Sequence, residues 1–151
     1  MISRNTDTEL VSLIKRLSTL LQQNIDMRLK PYDLARTQYI VLRQLDDGSM
    51  TTSELAAAMQ VEPATLSGVI DTLETKGLVT RVEQAEDKRR KDICLTDAGH
   101  ALLATIPSPG TAIEHVLRED VDGGDVHILR AVGQQMIKNL EAELRKQEGG
   151  R

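Results

Sequence analysis

The sequence predicts a mainly α-helical chain that carries one small antiparallel β hairpin. Three observations support this fold class. Apolar residues recur at helical spacing in two long terminal segments, and shorter amphipathic segments with capping chemistry lie between them. Two β-prone runs, residues 78–82 and 92–96, flank the charged loop AEDKRRK.

The first helix should cover about residues 6–30 and end at Pro31, because the residue before a proline disfavours helical geometry. Its apolar stripe is long for a helix with no core before it. The stripe can pack on C-terminal helices of the same chain or on a second chain, and it consists of Leu10, Leu13, Ile14, Leu17, Leu21, Ile25 and Leu29.

A second helix is predicted at Arg36–Leu45, after a short connection at residues 32–35. Its inward face should consist of Tyr39, Leu42 and Leu45. The run Asp46, Asp47 and Gly48 has turn chemistry and ends this helix.

Two short helices come next, and the chemistry at their ends marks them. Thr51 and Glu54 have capping-box spacing, so that hydroxyl and carboxylate can satisfy each other's amides. Pro63 suits the first turn of the second short helix, and Gly77 suits the left-handed stop after it. The buried face of that helix follows i, i+3, i+4 and i+7 spacing at Leu66, Val69, Ile70 and Leu73.

The opposite face of this helix is small and hydroxylated, with Ala64, Ser67, Gly68, Asp71 and Thr75, flanked by Thr65 and Thr72. A helix with such a surface can lie close to the floor of a DNA major groove. Taken alone, however, the pattern is better interpreted as an amphipathic helix with a solvated back.

The predicted hairpin after this helix favours DNA contact over a merely solvated helix face. Its loop holds four cations in a row, Lys88, Arg89, Arg90 and Lys91. A charge run by itself is usually a solvated loop. Helix, turn, helix and basic hairpin in this order form a winged helix-turn-helix, whose wing can place a cation in the minor groove. DNA contact is therefore the favoured function.

The rest of the chain is predicted to be helical. Thr96 should cap a helix that begins at Asp97, with an apolar face of Ala98, Leu102, Leu103 and Ile106. The run of residues 107–110, PSPG, should kink or break it, since each proline removes a donor and crowds the previous turn. Helix should resume over about residues 109–118. A last helix is expected over about 125–146, with Ile128, Leu129, Val132, Met136, Ile137, Leu140 and Leu144 as its apolar face.

Composition excludes several classes of function. The 151 residues suit a single domain, and the net charge is −4, which is not the basic balance of many DNA-binding proteins. Residues 51–99 hold 6 Lys and Arg against 9 Asp and Glu, a net −3. With two tyrosines and no Phe or Trp, binding of single strands by base stacking is poorly supported.

The chain offers little for catalysis or metal binding. His100, His115 and His127 are widely spaced, and we predict no metal, no cofactor and no enzymatic activity. Cys94 is the only cysteine, which excludes an internal disulfide. No signal segment or membrane-length apolar run is present, so the expected location is cytoplasmic.

Three motifs give the chain a family resemblance. These are LE-x-K-G-L-V-x-R at 73–81, D-x-R at Asp87 and Arg89, and L-T-x-x-G at 95–99. In this order and spacing the chain resembles the MarR (multiple-antibiotic-resistance regulator) family over nearly its whole length. The resemblance implies a winged helix-turn-helix lobe at 36–99, with a minimal third strand at 49–51 against the wing. It also implies a helical dimerisation lobe from residues 1–30 and 109–147.

The resemblance also implies DNA contacts residue by residue. Arg89 matches the wing-tip arginine that enters the minor groove, and Asp87 matches the acid that orients it. Arg81 is expected to brace the wing or meet a phosphate. Further phosphate contacts fall to Lys88, Arg90 and Lys91, and groove contacts fall to Ala64, Thr65, Ser67, Gly68 and Thr72.

Two positions depart from the family pattern. Glu62 stands at the N-cap where serine is common, and Gly68 stands where many relatives carry arginine or another polar residue. From 60 to 76 the segment is net −2, since Lys76 is its only cation. This predicts either modest affinity that relies on the wing, or a site read through shape and apolar contacts.

The family resemblance implies a homodimeric repressor of transcription that binds a pseudo-palindrome and is released by a phenolic or lipophilic effector. The residues near the expected crevice are Met27, Arg36, Tyr39 and His100. Core and surface roles without a ligand explain these four equally well. The alternative function is a dimeric protein-interaction module on a winged-helix scaffold, which the acidic recognition helix favours.

Overall fold

The computed structural model describes residues 6–83 and 91–149, with side chains from residue 9 onward. The helices are α1 (Thr6–Leu29), α2 (Arg36–Leu45), α3 (Thr52–Met59), α4 (Pro63–Thr75), α5 (Asp97–Thr105), α6 (Pro109–Arg118) and α7 (Gly123–Glu148). The strands are β1 (Val79–Glu83) and β2 (Lys91–Leu95). Contacts divide the chain into two compact units, one up to Gly110 and one from Thr111 onward. The mainly helical fold with a small antiparallel wing is confirmed.

The end of the first helix differs from the prediction. α1 ends at Leu29, and a 3₁₀ turn over Lys30–Tyr32 continues the chain beyond it. Pro31 lies at the start of this turn, where it needs no backbone donor, and it therefore does not stop the helical path at once. Asp33 then adopts a left-handed backbone at φ 53° and redirects the chain into α2.

Capping chemistry fixes the first helix of the helix-turn-helix as predicted. The Thr51 hydroxyl accepts from the Glu54 amide at 3.2 Å, and the Glu54 carboxylate accepts from the Thr51 amide at 2.7 Å. α3 buries Leu55 and Ala56, and α4 buries Leu66, Ile70 and Leu73. Gly77 adopts φ 71°, the left-handed geometry expected after α4.

Both strands are displaced from their predicted bounds by one residue. Leu78 precedes β1 because its amide bonds to the Leu73 carbonyl and so still belongs to the end of α4. β1 pairs with β2 antiparallel, with Val79 opposite Leu95 and Glu83 opposite Lys91. A single bridge between Met50 and Ile93 forms at residues 49–51, where a minimal third strand was expected, and the sheet of the described residues has two strands.

The core of the first unit is formed by branched aliphatic residues from α1 to α5. Its fully buried members are Leu29, Val41, Leu42, Leu45, Leu55, Leu66, Ile70, Leu73, Val79 and Ile93. Tyr39, predicted to face inward, is half-buried against this cluster. The helix-turn-helix and the hairpin therefore share one core, which holds α4 by its inner face.

The joint between hairpin and α5 is tightly packed. The Thr96 hydroxyl accepts from the Gly99 amide at 3.1 Å, which is the predicted cap, and donates to the Gly77 carbonyl at 2.6 Å. Gly99 is buried, and a Cβ there would lie 2.2 Å from the Leu78 carbonyl oxygen. Ala98, predicted to face inward, is exposed, because this close approach turns Gly99 inward instead.

The helix breaks at the proline-rich run, as predicted. α5 ends at Thr105 and α6 begins at Pro109. α7 begins at Gly123, two residues before the predicted start, because the Asp122 carboxylate accepts from the Gly124 amide at 2.7 Å and caps the helix there. Much of the apolar face of α7 is exposed, at Ile128, Leu129, Val132, Ile137, Leu140 and Leu144.

Candidate nucleic-acid interface

The outer face of α4 is the centre of the candidate site. Leu66, Ile70 and Leu73 are fully buried, so the helix is held along its inner side. The predicted contact residues on its outer side are all exposed, and they are Ala64, Thr65, Ser67, Gly68 and Thr72. Asp71 and Thr75 extend the same face toward the C-terminal end.

Three hydroxyls of this face donate hydrogen bonds within the helix. Thr72 Oγ1 lies 2.8 Å from the Gly68 carbonyl, and Thr75 Oγ1 lies 2.9 Å from the Asp71 carbonyl. Ser67 Oγ lies 3.4 Å from the Pro63 carbonyl. These bonds occupy the hydroxyl hydrogens, so the oxygens face a partner mainly as acceptors.

The start of α4 lacks side-chain capping. Glu62 occupies the N-cap position with an extended backbone, but its carboxylate makes no capping hydrogen bond. A glutamate side chain is too long for the short-range bond that Ser, Thr, Asp or Asn makes there. Glu62 is exposed and places a negative charge beside the first turn.

Gly68 lies in the middle of this face in an ordinary helical backbone. A Cβ added there would meet nothing within 4 Å. Neither backbone conformation nor internal packing requires glycine at this position. The helix therefore has a flat, open place on its outer surface.

Arg81 ties the hairpin to α4. Its Nη2 lies 2.6 Å from the Asp71 carboxylate, and its Nη1 contacts the Glu74 carboxylate. The hydrogen bond that Arg81 donates to Asp71 raises the pKa of Arg81, while burial acts in the opposite direction and the Glu74 charge adds to the rise. Two acidic charges of the outer face are therefore partly neutralised by a cation from β1.

Lys76, directly after the C-terminal end of α4, ties this end to the α1–α2 joint. Its Nζ lies 2.9 Å from the Asp33 carboxylate and also contacts the Asp33 carbonyl oxygen. Sequence reasoning missed this contact, because residues 43 positions apart carry no shared local pattern. Lys76, the only cation of residues 60–76, is thus paired with another residue of the same chain.

Besides Arg81 on β1, the described part of the wing contributes one cation. Lys91 is exposed at the first position of β2. The other predicted wing residues lie outside the described residues, and they are Asp87, Lys88, Arg89 and Arg90. Next to Lys91 on β2, Asp92 is 3% exposed, and its carboxylate accepts from Ser49 Oγ at 3.4 Å. Nothing in the sequence pattern marked Asp92 as buried.

The structure separates the four residues proposed for effector binding. Arg36 and Met27 line a cleft of about 740 Å³, together with Asp26, Lys30, Asp33, Leu34, Ala35, Thr37, Gln38 and Lys76. Arg36 and Tyr39 line a smaller cleft of about 200 Å³, together with Ile25, Ile40, Arg43, Ser108, Pro109 and Gly110. His100 lines neither cleft, and its Nδ1 lies 3.7 Å from the Asp46 carboxylate.

Other kinds of site find no support within the described residues. No three His, Cys, Asp or Glu side chains in residues 9–83 and 91–149 form a group able to hold a metal ion. None of the helices in that part of the chain has both the length and the apolar character that crossing a bilayer needs. Cys94 is half-buried and makes no disulfide.

Comparison with solved structures supports the same architecture. The chain is similar to S. aureus MepR in a complex with DNA, at 28% identity over 85% of this chain and 96% of that one, with a TM-score of 0.76. It is similar in fold to apo MarR from E. coli, at 24% identity over 84% and 96% of the chains, with a TM-score of 0.70.

A third structure has the same fold. CouR from Rhodococcus jostii RHA1, bound to p-coumaroyl-CoA, is 24% identical over 89% of this chain and 95% of that one, with a TM-score of 0.72. Residues 34–91, from just before α2 to the first residue of β2, match the model described as the MarR family. The resemblance to the MarR family is therefore confirmed over residues 34–91, which match the MarR family model, and the described structure has the winged-helix fold of the MarR proteins to which it is similar.

Proposed function

We propose that this protein is a homodimeric repressor of transcription that binds a pseudo-palindromic site in duplex DNA. The observation that carries the proposal is the outer face of α4, which is exposed, small and held rigidly by its buried inner face. A major groove about 12 Å wide admits such a helix. Each copy would read one half-site, with half-site centres about one helical turn apart.

The DNA-bound relative supports this use of α4. S. aureus MepR was solved in a complex with DNA, and this chain covers 96% of it at 28% identity. The groove contacts proposed for this chain are Ala64, Thr65, Ser67, Gly68 and Thr72, all exposed on α4. Arg81 serves mainly to hold the hairpin on α4, which leaves direct phosphate contact to other cations.

The wing is proposed to supply the cations that the helix lacks. Arg89 would enter the minor groove, oriented by Asp87, and Lys88, Arg90 and Lys91 would contact phosphates. Because α4 carries no cation and Lys76 after it is paired with Asp33, DNA affinity should depend strongly on these wing residues and fall steeply with salt.

Dimerisation is proposed to use the terminal helices, with residues 1–30 and 109–147 as the dimerisation lobe and 36–99 as the DNA-binding lobe. α1 exposes Leu10, Val11, Leu13, Ile14, Leu17 and Leu20, each by more than 40%. α7 exposes a second apolar face of similar size. A second copy of the chain is the occupant we propose for both faces, since such faces in water promote association.

The proposal also includes a small-molecule effector that releases the protein from DNA. CouR, which shares this fold, was solved with p-coumaroyl-CoA. In this chain Arg36 is shared by the two clefts and could hold an acidic group, with Met27 or Tyr39 against an apolar one. His100 is not a lining residue of either cleft, so we place no ligand contact on it.

The alternative function is a dimeric protein-interaction module with weak DNA binding. The observation that favours it is electrostatic: Lys76 and Arg81 are both paired with acids, and Glu62 adds a negative charge at the front of α4. Salt-sensitive binding to duplex DNA distinguishes the two functions, because only a DNA-binding regulator requires it.

The test is selection of duplexes from a random pool by the purified protein at low salt, repeated at higher salt. Enrichment of an inverted repeat, with affinity that falls steeply as salt rises, is the expected result. In vitro transcription from a promoter overlapping the enriched site should then decrease when the protein is added. Negligible duplex binding at low salt would contradict the proposal and favour the interaction module.

A further inference from the structure

The outer face of α4 lacks every side chain that reads purines by two-point contacts. Between Pro63 and Thr75 there is no arginine, lysine, asparagine or glutamine. Arg and Lys pair with guanine O6 and N7, and Asn and Gln pair with adenine N6 and N7. The exposed groups of this face are instead the methyls of Ala64, Thr65 and Thr72 with short hydroxyls beside them, and the Asp71 carboxylate, which is paired with Arg81.

The hydroxyl of Thr72 is already engaged. It donates to the Gly68 carbonyl at 2.8 Å, which fixes the side chain and leaves its methyl available on the exposed surface. Thr75 has the same internal bond one turn further on, at 2.9 Å to the Asp71 carbonyl. The face therefore offers few donors and a set of fixed methyl groups.

Gly68 gives a second, independent indication that a partner approaches closely. Glycine in a helix interior costs about 1 kcal/mol relative to alanine. Here it occupies open space in ordinary helical geometry, so neither the fold nor the backbone requires it. Close approach of an outside surface to the α4 backbone would give this glycine a function.

We propose that α4 reads its half-site through the C5-methyl groups of thymine, contacted by Ala64, Thr65 and Thr72 as the backbone approaches at Gly68. Apolar contact by alanine and by the threonine methyl is the known way in which proteins recognise that group. No guanine is read by α4 in the major groove. This inference rests on the proposed function, because it assigns α4 to that groove.

Base analogues test the proposal on the selected duplex. Deoxyuridine in place of a single thymine removes only the C5-methyl group, and 7-deazaguanine removes only the N7 acceptor. Each contacted methyl should contribute roughly fourfold to affinity, the factor that corresponds to about 0.8 kcal/mol. The 7-deazaguanine duplexes should bind as tightly as the parent duplex.

Side-chain variants identify which residue contacts which methyl. Thr65→Ser and Thr72→Ser remove a methyl and keep the hydroxyl, and each should abolish the deoxyuridine penalty at its own base pair. Thr75→Ser is the matched control, because Thr75 has the same internal hydrogen bond as Thr72 but lies at the far end of α4. It should leave every deoxyuridine penalty unchanged.

Gly68→Ala separates a structural role from a role in binding. The variant should unfold at higher temperature than the parent, because alanine favours helix and its Cβ meets nothing. Its DNA affinity should nevertheless fall roughly tenfold, since the added methyl crowds the groove floor. A merely structural glycine would move both quantities in the same direction or neither.

The outcomes distinguish this inference from the proposed function. Salt-sensitive binding that is indifferent to deoxyuridine, or that weakens with 7-deazaguanine under α4, overturns the methyl readout and leaves the regulator intact. Absence of duplex binding overturns both. A deoxyuridine penalty that is lost in Thr65→Ser or Thr72→Ser, and kept in Thr75→Ser, supports the proposal.

Discussion

The Arg81 guanidinium lies 2.6 Å from a carboxylate oxygen of Asp71, which joins the first strand of the hairpin to the outer face of α4. The carboxylate of Glu74, about one helical turn after Asp71, pairs with the other terminal nitrogen of the guanidinium. The contact links the two elements that are proposed to contact DNA together. It also lowers the negative charge that α4 would otherwise present to phosphates.

Arg81→Gln should lower the free energy of unfolding by about 1 kcal/mol, at the upper end for partly exposed ion pairs because two carboxylates share one guanidinium. The double-mutant cycle with Asp71→Asn should show coupling. The control cycle is Arg43→Gln with Asp46→Asn, an exposed pair at 3.1 Å on α2, which should couple more weakly. Urea denaturation measures both cycles, and equal coupling would contradict the bracing role.

The same ion pair should be insensitive to alkaline pH. The folded-state pKa of Arg81 is raised above its ordinary value, chiefly by the hydrogen bond that it donates to Asp71. A raised pKa gives stability that is complete below the unfolded value and is lost only as pH rises through the folded value. The stability difference between the parent and Arg81→Gln should therefore stay constant between about pH 7 and 9. A difference that shrinks across this range would show that another group carries it.

Glu62→Ser should stabilise α4 and strengthen DNA binding. Serine at the N-cap can accept the amide bond that Glu62 does not make, which is worth about 0.5–1 kcal/mol. It also removes a negative charge near the phosphates. Glu62→Gln is the control that removes the charge without supplying a short cap. Equal thermal stability of the two variants would show that capping is not limiting at this position.

Gly99→Ala should destabilise the protein by about 1–3 kcal/mol, despite the better helix propensity of alanine. Its Cβ would lie 2.2 Å from the Leu78 carbonyl oxygen and 3.2 Å from Leu95, and the backbone oxygen cannot rotate away. The stability should be compared with that of Gly68→Ala, where the space is open. A neutral Gly99→Ala would mean that β1 and α5 separate easily.

Leu13→Glu should weaken the proposed dimer. Leu13 is 63% exposed in the single chain, and its loss from a symmetric interface removes two leucines at once. At about 1.5 kcal/mol or more each, the dimer dissociation constant should rise roughly a hundredfold. Val61→Glu, at a valine 38% exposed outside the terminal helices, is the control. If sedimentation analysis finds both variants dimeric, the interface does not include Leu13.

Most of the fold could be predicted from local sequence patterns, such as capping residues, glycines and prolines. The bounds of α2, the capping box of α3, Gly77 and the break before Pro109 were confirmed, because each depends on residues within one helical turn. The displaced strands and the early start of α7 depend on hydrogen bonds whose alternatives lie one or two residues apart. Sequence patterns do not separate such alternatives.

The candidate site was less accessible to sequence reasoning. The exposed face of α4 follows from helical periodicity and was predicted. The pairings of Lys76 with Asp33 and Arg81 with Asp71, and the burial of Asp92, arise only when distant elements meet. Those contacts decide the net charge of the surface that is proposed to face DNA. The sequence count of charges therefore could not establish how acidic that surface is.

The exposed leucines of α1 have a consequence for control by abundance. If the functional unit is a pair of chains, its amount rises with the square of the chain concentration wherever monomers predominate. Occupancy of a promoter would then respond more steeply to synthesis and degradation than binding by a single chain allows. The face that stabilises the assembly would thus also set the level of expression at which regulation begins.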